Sequence, residues 1–170
     1  MNLSRAFHFV GASAAVAGAG AAVAFGAGSP KITAAGVGKV KLGDTYQELR
    51  AKGAVGKIGP GCELGGPNTR SARLKAPVKG YVNFTLKSPR KVTDITVEGG
   101  AKARGVGVGA TIPQIKAKFP KAKVDHSTDG TFELTLVRVP KSSGGRIMFG
   151  VSTKTHKTEL IGVPFIGFCE

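Results

Sequence analysis

Tryptophan is absent from this chain and tyrosine occurs only at Tyr46 and Tyr81, so the side chains that anchor most tight protein interfaces are nearly missing. The same poverty argues against a surface that stacks successive bases, and with it against sequence-specific nucleic-acid recognition. Carboxylates are scarce: ten are scattered over 170 residues, with no pairing suited to general acid and base work. Beyond the N-terminal apolar segment the only histidines are His126 and His156. His126 has Asp125 beside it and Asp129 close by, but neighbours in an extended segment point to opposite faces and no further ligand follows, which predicts a solvated loop rather than a zinc site. Ser127, Ser142 and Ser143 lack the context of an activated nucleophile. Two cysteines, Cys62 and Cys169, have no Cys-x-x-Cys spacing and so no redox-motif character. These absences predict a non-enzyme with no catalytic residue, cofactor or metal.

What the chain has in excess is positive charge: 25 lysines and arginines against ten acids, a net +15. Residues 1–28 have the layout of a secretory signal, with Arg5 in a short polar start, an apolar run from Phe9 to Ala24 rich in Gly and Ala, and Ala22-Val23-Ala24 as a cleavage-like end. Cleavage between Phe25 and Ser29 is expected over a retained anchor, because the run is glycine-diluted and barely reaches the roughly 20 residues of a membrane span. No cysteine stands near the junction to carry a lipid, and no Arg-Arg pair suggests twin-arginine export. Losing Arg5 leaves 24 basic residues against ten acidic, or +14.

Secretion predicts that Cys62 and Cys169 form a disulfide. Closing a loop of about 100 residues would contribute roughly 4 to 5 kcal/mol on the chain-entropy model. The basic residues group in three stretches: Arg70, Arg73, Lys75 and Lys79; Lys87, Arg90 and Lys91; and Lys116, Lys118, Lys121 and Lys123. A run of charge commonly serves only solubility, but interspersed signs would serve that equally well, so this set is the candidate polyanion-binding surface. Its expected partners are anionic polymers or an acidic protein surface, with wall polyanions, anionic lipid headgroups or extracellular nucleic acid as the candidates. The expected product is a secreted, extracellular monomer, with attachment to the cell wall one of its expected fates and no membrane span after cleavage.

Internal repetition organises the rest. Leu42-Gly43-Asp44-Thr45-Tyr46-Gln47-Glu48-Leu49-Arg50-Ala51-Lys52 is echoed 66 positions later by Val108-Gly109-Ala110-Thr111-Ile112-Pro113-Gln114-Ile115-Lys116-Ala117-Lys118. Phe84-Thr85-Leu86-Lys87-Ser88 with Thr93-Asp94-Ile95 is echoed 65 positions later by Phe149-Gly150-Val151-Ser152-Thr153 with Thr158-Glu159-Leu160. Spacing kept to within one residue implies two copies of one unit, residues 36–100 and 101–170, packed together. Thr45 with Glu48, and Thr111 with Gln114, fit the capping box, so each copy should open on a short helix, the first fading at Gly53 and the second stopping before Pro120. Strands are expected over Tyr81–Lys87, Lys91–Glu98, Thr131–Val139, Arg146–Ser152 and Thr158–Phe168, the last broken near Pro164, with a fainter one over Ala72–Ala76. Residues Ile58 to Arg73, full of Gly and Pro, should be a surface loop. Gly105-Val106-Gly107-Val108-Gly109-Ala110 formally fits a dinucleotide fingerprint, but Gly36-x-Gly38 at the equivalent place marks it as part of the repeat.

The fold class predicted is α+β: two tandem repeats, each a short helix plus a three- or four-stranded antiparallel meander, forming one sheet with both helices on one face and the other face open. The glycine and Thr-capped helix start, the meander that follows, and the placing of Cys62 and Cys169 resemble small secreted proteins of actinobacterial type. The tandem layout is similar, more distantly, to the family of the beta-lactamase inhibitory protein and to outer-membrane assembly lipoproteins that share its repeat. That resemblance implies a protein-binding or inhibitory module gripping its target through an aromatic-rich open sheet face. With no Trp and two Tyr the aromatic complement is missing, so the resemblance carries the fold and not the inhibition.

Overall fold

Two threonine-capped helices set the frame of the chain, which the computed structural model describes over residues 28–61, 68–140 and 145–168. The signal-like segment before Gly28 and both cysteines, Cys62 and Cys169, lie outside the described residues, and so does the disulfide expected between them. A small antiparallel sheet comes first, β1 (Ile32–Thr33), β2 (Gly36–Val37) and β3 (Val40–Lys41). Helix α1 (Tyr46–Ala51) follows. The Thr45 hydroxyl accepts from the Glu48 N–H at 3.3 Å and the Glu48 carboxylate accepts from the Thr45 N–H at 2.7 Å, so two amides with no partner inside the helix are satisfied at once. At the other end Gly53, at φ 64°, turns the chain out of the helix. Helix α2 (Ile112–Lys118) keeps the returning half of that motif, Thr111 N–H to Gln114 Oε1 at 2.9 Å, and ends before Pro120.

Helix α1 leads into β4 (Val55–Pro60), β5 (Arg70–Leu74), β6 (Lys79–Phe84) and β7 (Val92–Gly99). Helix α2 leads into β8 (Lys123–Asp125), a one-turn helix α3 (Asp129–Phe132), β9 (Leu134–Arg138), β10 (Met148–Ser152) and β11 (Thr158–Val163). All eight strands make one antiparallel sheet, ordered β4-β5-β6-β7-β11-β10-β9-β8, so the two series meet at their last strands. There Ile161 stands opposite Val97, Gly162 opposite Thr96 and Val163 opposite Ile95. Leu49 of α1 and Ile115 of α2, both fully buried, share one core with Val82, Ile95, Val97, Phe149, Val151 and Ile161, which puts the two helices on the same face.

Several expectations are corrected. The opposite face is not open: past Pro164 the chain folds back over it, and Ile166 is buried with Leu136 and Met148, with Leu160 and Phe168 packed alongside. The Gly167 N–H donates to Thr96 Oγ1 at 3.3 Å, the Tyr81 hydroxyl donates to the Gly167 carbonyl, and Phe168 stacks on Phe132 at 4.1 Å. Gly162 makes room for this return, since a Cβ there would meet the Phe165 carbonyl oxygen at 2.2 Å. The strand expected over Thr131–Val139 begins only at Leu134, because α3 occupies its start and Glu133, at φ 54°, breaks the extended run. Leu136 packs with the returning tail, Leu134 lies beside Ile166 over Gly150, and Val137 fills the core instead. Strand β6 stops at Phe84, which leaves Leu86 54% exposed rather than inward. The expected loop from Ile58 holds the end of β4, and β8 is a further strand with no clear pattern.

Phe149 lies at the centre of the shared core with no exposed surface and tilts against Phe119 at 5.8 Å. Phe149→Ala is expected to cost about 3 to 5 kcal/mol. Denaturant unfolding should show that loss in the midpoint, and a loss below about 1 kcal/mol would place Phe149 outside the main core.

Candidate anion-binding surface and cleft

Strand direction decides which of the predicted basic residues can act together. Lys75 and Lys79 flank the β5–β6 turn, while Lys87, Arg90 and Lys91 belong to the β6–β7 connection at the other end of the same strands. Register carries that second end across the sheet: Phe84 faces Val92, Val163 faces Ile95, Met148 faces both Gly162 and Arg138, and Arg138 faces Lys123. Lys121 and Lys123 therefore share an end with Lys87 and Lys91 but sit at its far edge. Lys116 and Lys118 are exposed on α2. Three of the arginines are engaged within the fold. Arg73 pairs with Glu98 at 3.0 Å and lies over Tyr81, Arg90 donates to the Thr85 carbonyl at 3.1 Å, and Arg70 donates to the Thr69 carbonyl at 2.7 Å. The eight lysines of the set, Lys75, Lys79, Lys87, Lys91, Lys116, Lys118, Lys121 and Lys123, are exposed and form no ion pair among the described residues.

A cleft of about 1020 Å³ opens between β1, the 102–105 turn, the α2–β8 connection and the residues flanking the β9–β10 connection. Its floor is apolar, with Ile32, Phe119, Ala122 and Ile147 all buried. Lys31, Lys102, Arg104 and Lys121 stand around it, and no carboxylate is among the described residues that line it. Only Lys121 of these belongs to the set singled out by sequence. Of the others, Lys31 lies far along the chain from Lys102 and Arg104, and backbone pairing brings them together: the Ile32 N–H donates to the Lys102 carbonyl at 2.8 Å and the Lys102 N–H to the Pro30 carbonyl at 3.0 Å.

His126 does sit against a carboxylate, its Nδ1 2.8 Å from Asp129 Oδ2, while Thr135 donates to the other Asp129 oxygen at 2.9 Å. Those hydrogen bonds, His126 foremost, hold the Asp129 carboxyl below its ordinary value. The ring is solvated and the arrangement fastens α3 to β9. Among the described residues no group of three His, Cys, Asp or Glu side chains gathers as metal ligands. No helix among them is long and apolar enough to cross a membrane. The Gly105–Ala110 segment starts inside a tight turn, closed by Ala103 and Val106 bonded to each other in both directions, and leads to α2, which no parallel strand of the eight-stranded sheet flanks. The chain matches no protein-family model, no curated protein and no solved structure.

One acid is buried. Asp94, 3% exposed, lies on the tail-covered face of β7, where Asn83 Nδ2 donates to Oδ1 at 2.8 Å and the Thr93 hydroxyl donates to Oδ2 at 3.0 Å. Burial raises its carboxyl above the ordinary value, and the hydrogen bonds from Asn83 and Thr93 only partly offset that. A carboxyl whose folded value is raised favours the fold at low pH, and that contribution is lost as pH climbs from about 3.8 toward the raised value. Asn83 Oδ1 is buried beside it without a donor. Asp94→Asn removes the charge and supplies an amide donor, so it is expected to raise stability at pH 7 by about 1 kcal/mol and to have little effect near pH 3. Urea titrations of both proteins at the two pH values check this, and a variant less stable than the parent at pH 7 contradicts it.

Proposed function

We propose that this is an exported, non-enzymatic binding protein that holds anionic polymers of the cell envelope on its lysine-rich surface. One observation carries the reading: eight exposed lysines, spread over both ends of the sheet and over α2, form no ion pair among the described residues, and of these Lys91 alone is shown acting on a carboxylate, that of Glu48. Charge left without partners inside the fold is available to a long polyanion, which gains by releasing its counterions. The dispersed pattern suits a polymer that wraps the molecule better than a compact ligand. An acidic protein surface fits it less well, because the sheet face that a protein would grip is crossed by Ile166 to Phe168, and the nearby Arg73, Tyr81 and Glu98 contact one another.

The architecture belongs to the same proposal. Thr45 and Thr111, 66 positions apart, both cap helices that four sheet strands follow, and the two series join through β7 and β11, which supports descent from a duplicated unit. Binding to a polyglycerol phosphate polymer, followed by calorimetry from 50 to 400 mM salt, is expected to weaken linearly in log–log form. Neutralising pairs of lysines to glutamine, Lys75 with Lys79 or Lys87 with Lys91, should lower the slope by about one to two units per pair. Undiminished binding at high salt, or no binding at low salt, removes the proposal.

A further inference from the structure

We propose that the cleft beside β1 is a binding site for a single-chain lipid phosphate, with the acyl chain on the apolar floor and the phosphate among Lys31, Lys102, Arg104 and Lys121. The inference stands apart from the polymer reading, because three of these four cations are outside that surface and an extended polymer needs no apolar floor.

Two features of the cleft run against the rules that surface residues ordinarily follow. Lys31 and Lys102 are partners in a parallel β-bridge, so two like charges project from neighbouring backbones on the same side. With no carboxylate among the described lining residues, an anion supplied from outside relieves their repulsion. Arg104 occupies the tight turn at φ 48°, a left-handed position where Gly or Asn is the usual choice and an arginine is strained. Strain of this kind is commonly kept where a side chain must be aimed. Here the Arg104 guanidinium lies 5.2 Å from the centre of the Phe119 ring, on the cleft wall, and Nη1 donates to the Lys118 carbonyl at 3.5 Å. Held so, its other N–H groups can fork a phosphate.

Size and lining settle the remaining chemistry. About 1020 Å³ is at the upper end of the roughly 300–1,000 Å³ typical of small-molecule sites and is far more than a phosphate fills. Buried Ile32, Phe119, Ala122 and Ile147 gain from contact with hydrocarbon. The chain's own apolar N-terminal segment is the poorer occupant, since residues 1–27 contain no Asp or Glu to meet four cations.

The test titrates the full chain with oleoyl lysophosphatidate below its micelle concentration, in parallel with the uncharged monooleoylglycerol and with inorganic phosphate, read by two-dimensional NMR and by thermal unfolding. Saturable one-to-one binding of the lipid phosphate is expected, shifting amides of Lys31, Lys102, Arg104 and Ala122, with the other two compounds weaker by about ten-fold or more. Arg104→Gly relieves the left-handed strain, so it should melt no lower than the parent without ligand yet bind the lipid about ten-fold more weakly, and Lys102→Gln should also weaken binding. Lys87→Gln with Lys91→Gln, remote from the cleft, should leave lipid affinity unchanged while weakening the polymer. Each of these results overturns the proposal: no binding, equal binding of monooleoylglycerol, equal binding of phosphate alone, or parental affinity in both Arg104→Gly and Lys102→Gln. Loss of lipid binding in the Lys87/Lys91 variant would also overturn it, by assigning the affinity to surface charge at large.

Discussion

The pairing of β7 with β11 is the constraint on which the rest of the molecule depends. These strands end their respective series, so their hydrogen bonds turn two four-stranded sheets, each with an exposed edge, into one sheet of eight. The four aliphatic residues at the junction, Ile95, Val97, Ile161 and Val163, are all fully buried. Neither α1 nor α2, at six and seven residues, is long enough to persist alone. Each is stabilised by the core that the joined sheet creates, through Leu49 and Ile115. A four-stranded half with one short helix would bury too little apolar surface to offset its chain entropy.

The same junction explains why the second face of the sheet is covered. At its centre β7 and β11 present Thr96 and Gly162, and the neighbouring β10 presents Gly150, so the surface there is shallow and offers hydroxyls rather than bulk. Backbone can approach it closely, and the returning tail does: Gly167 bonds Thr96, and Ile166 fits over Gly150, where a Cβ would stand 3.0 Å from its side chain. The cost of that cover falls on Asp94, a carboxyl withdrawn from water that forms no ion pair among the described residues. Scarcity of acids elsewhere makes this burial a local matter, leaving the positive surface almost unneutralised.

Local signals were the most legible part of the chain. The helix starts at Thr45 and Thr111 depend on residues three apart, and the helix ends on Gly53 and Pro120, so neither needs tertiary information. Strands that alternate strongly, such as Met148–Ser152 with Phe149 and Val151 inward, were equally readable. The misreadings have physical causes. Phe132, Leu134 and Leu136 alternate like a strand, but Glu133 in the left-handed region separates a helical turn from the true strand, and the tail offers Leu134 and Leu136 a second apolar surface. Strand β4 was obscured by Gly56, Gly59 and Pro60, and β8 by its three-residue length. Folding back of the tail left in the sequence the break at Pro164 and two glycines, Gly162 and Gly167, and neither signal names the surface that the chain then covers.

The cleft shows where sequence reading stops for a basic protein. Taken singly, Lys31, Lys102 and Arg104 read as solvated charges in a chain that has 25 lysines and arginines. Their meaning comes from context created by folding: a parallel bridge that pairs the backbones of two lysines, a turn that holds an arginine at φ 48°, and an apolar floor assembled from three separate stretches of chain. A solubilising charge has no reason to accept repulsion or backbone strain, since any open position would serve. Glu133 and His156 take similar backbone angles away from the cleft, so it is the conjunction with a lysine bridge and an apolar floor that sets Arg104 apart. By that criterion the eight lysines that form no ion pair among the described residues suit the polyanion surface proposed above, whereas the cleft suits the single anion with an apolar body proposed for it.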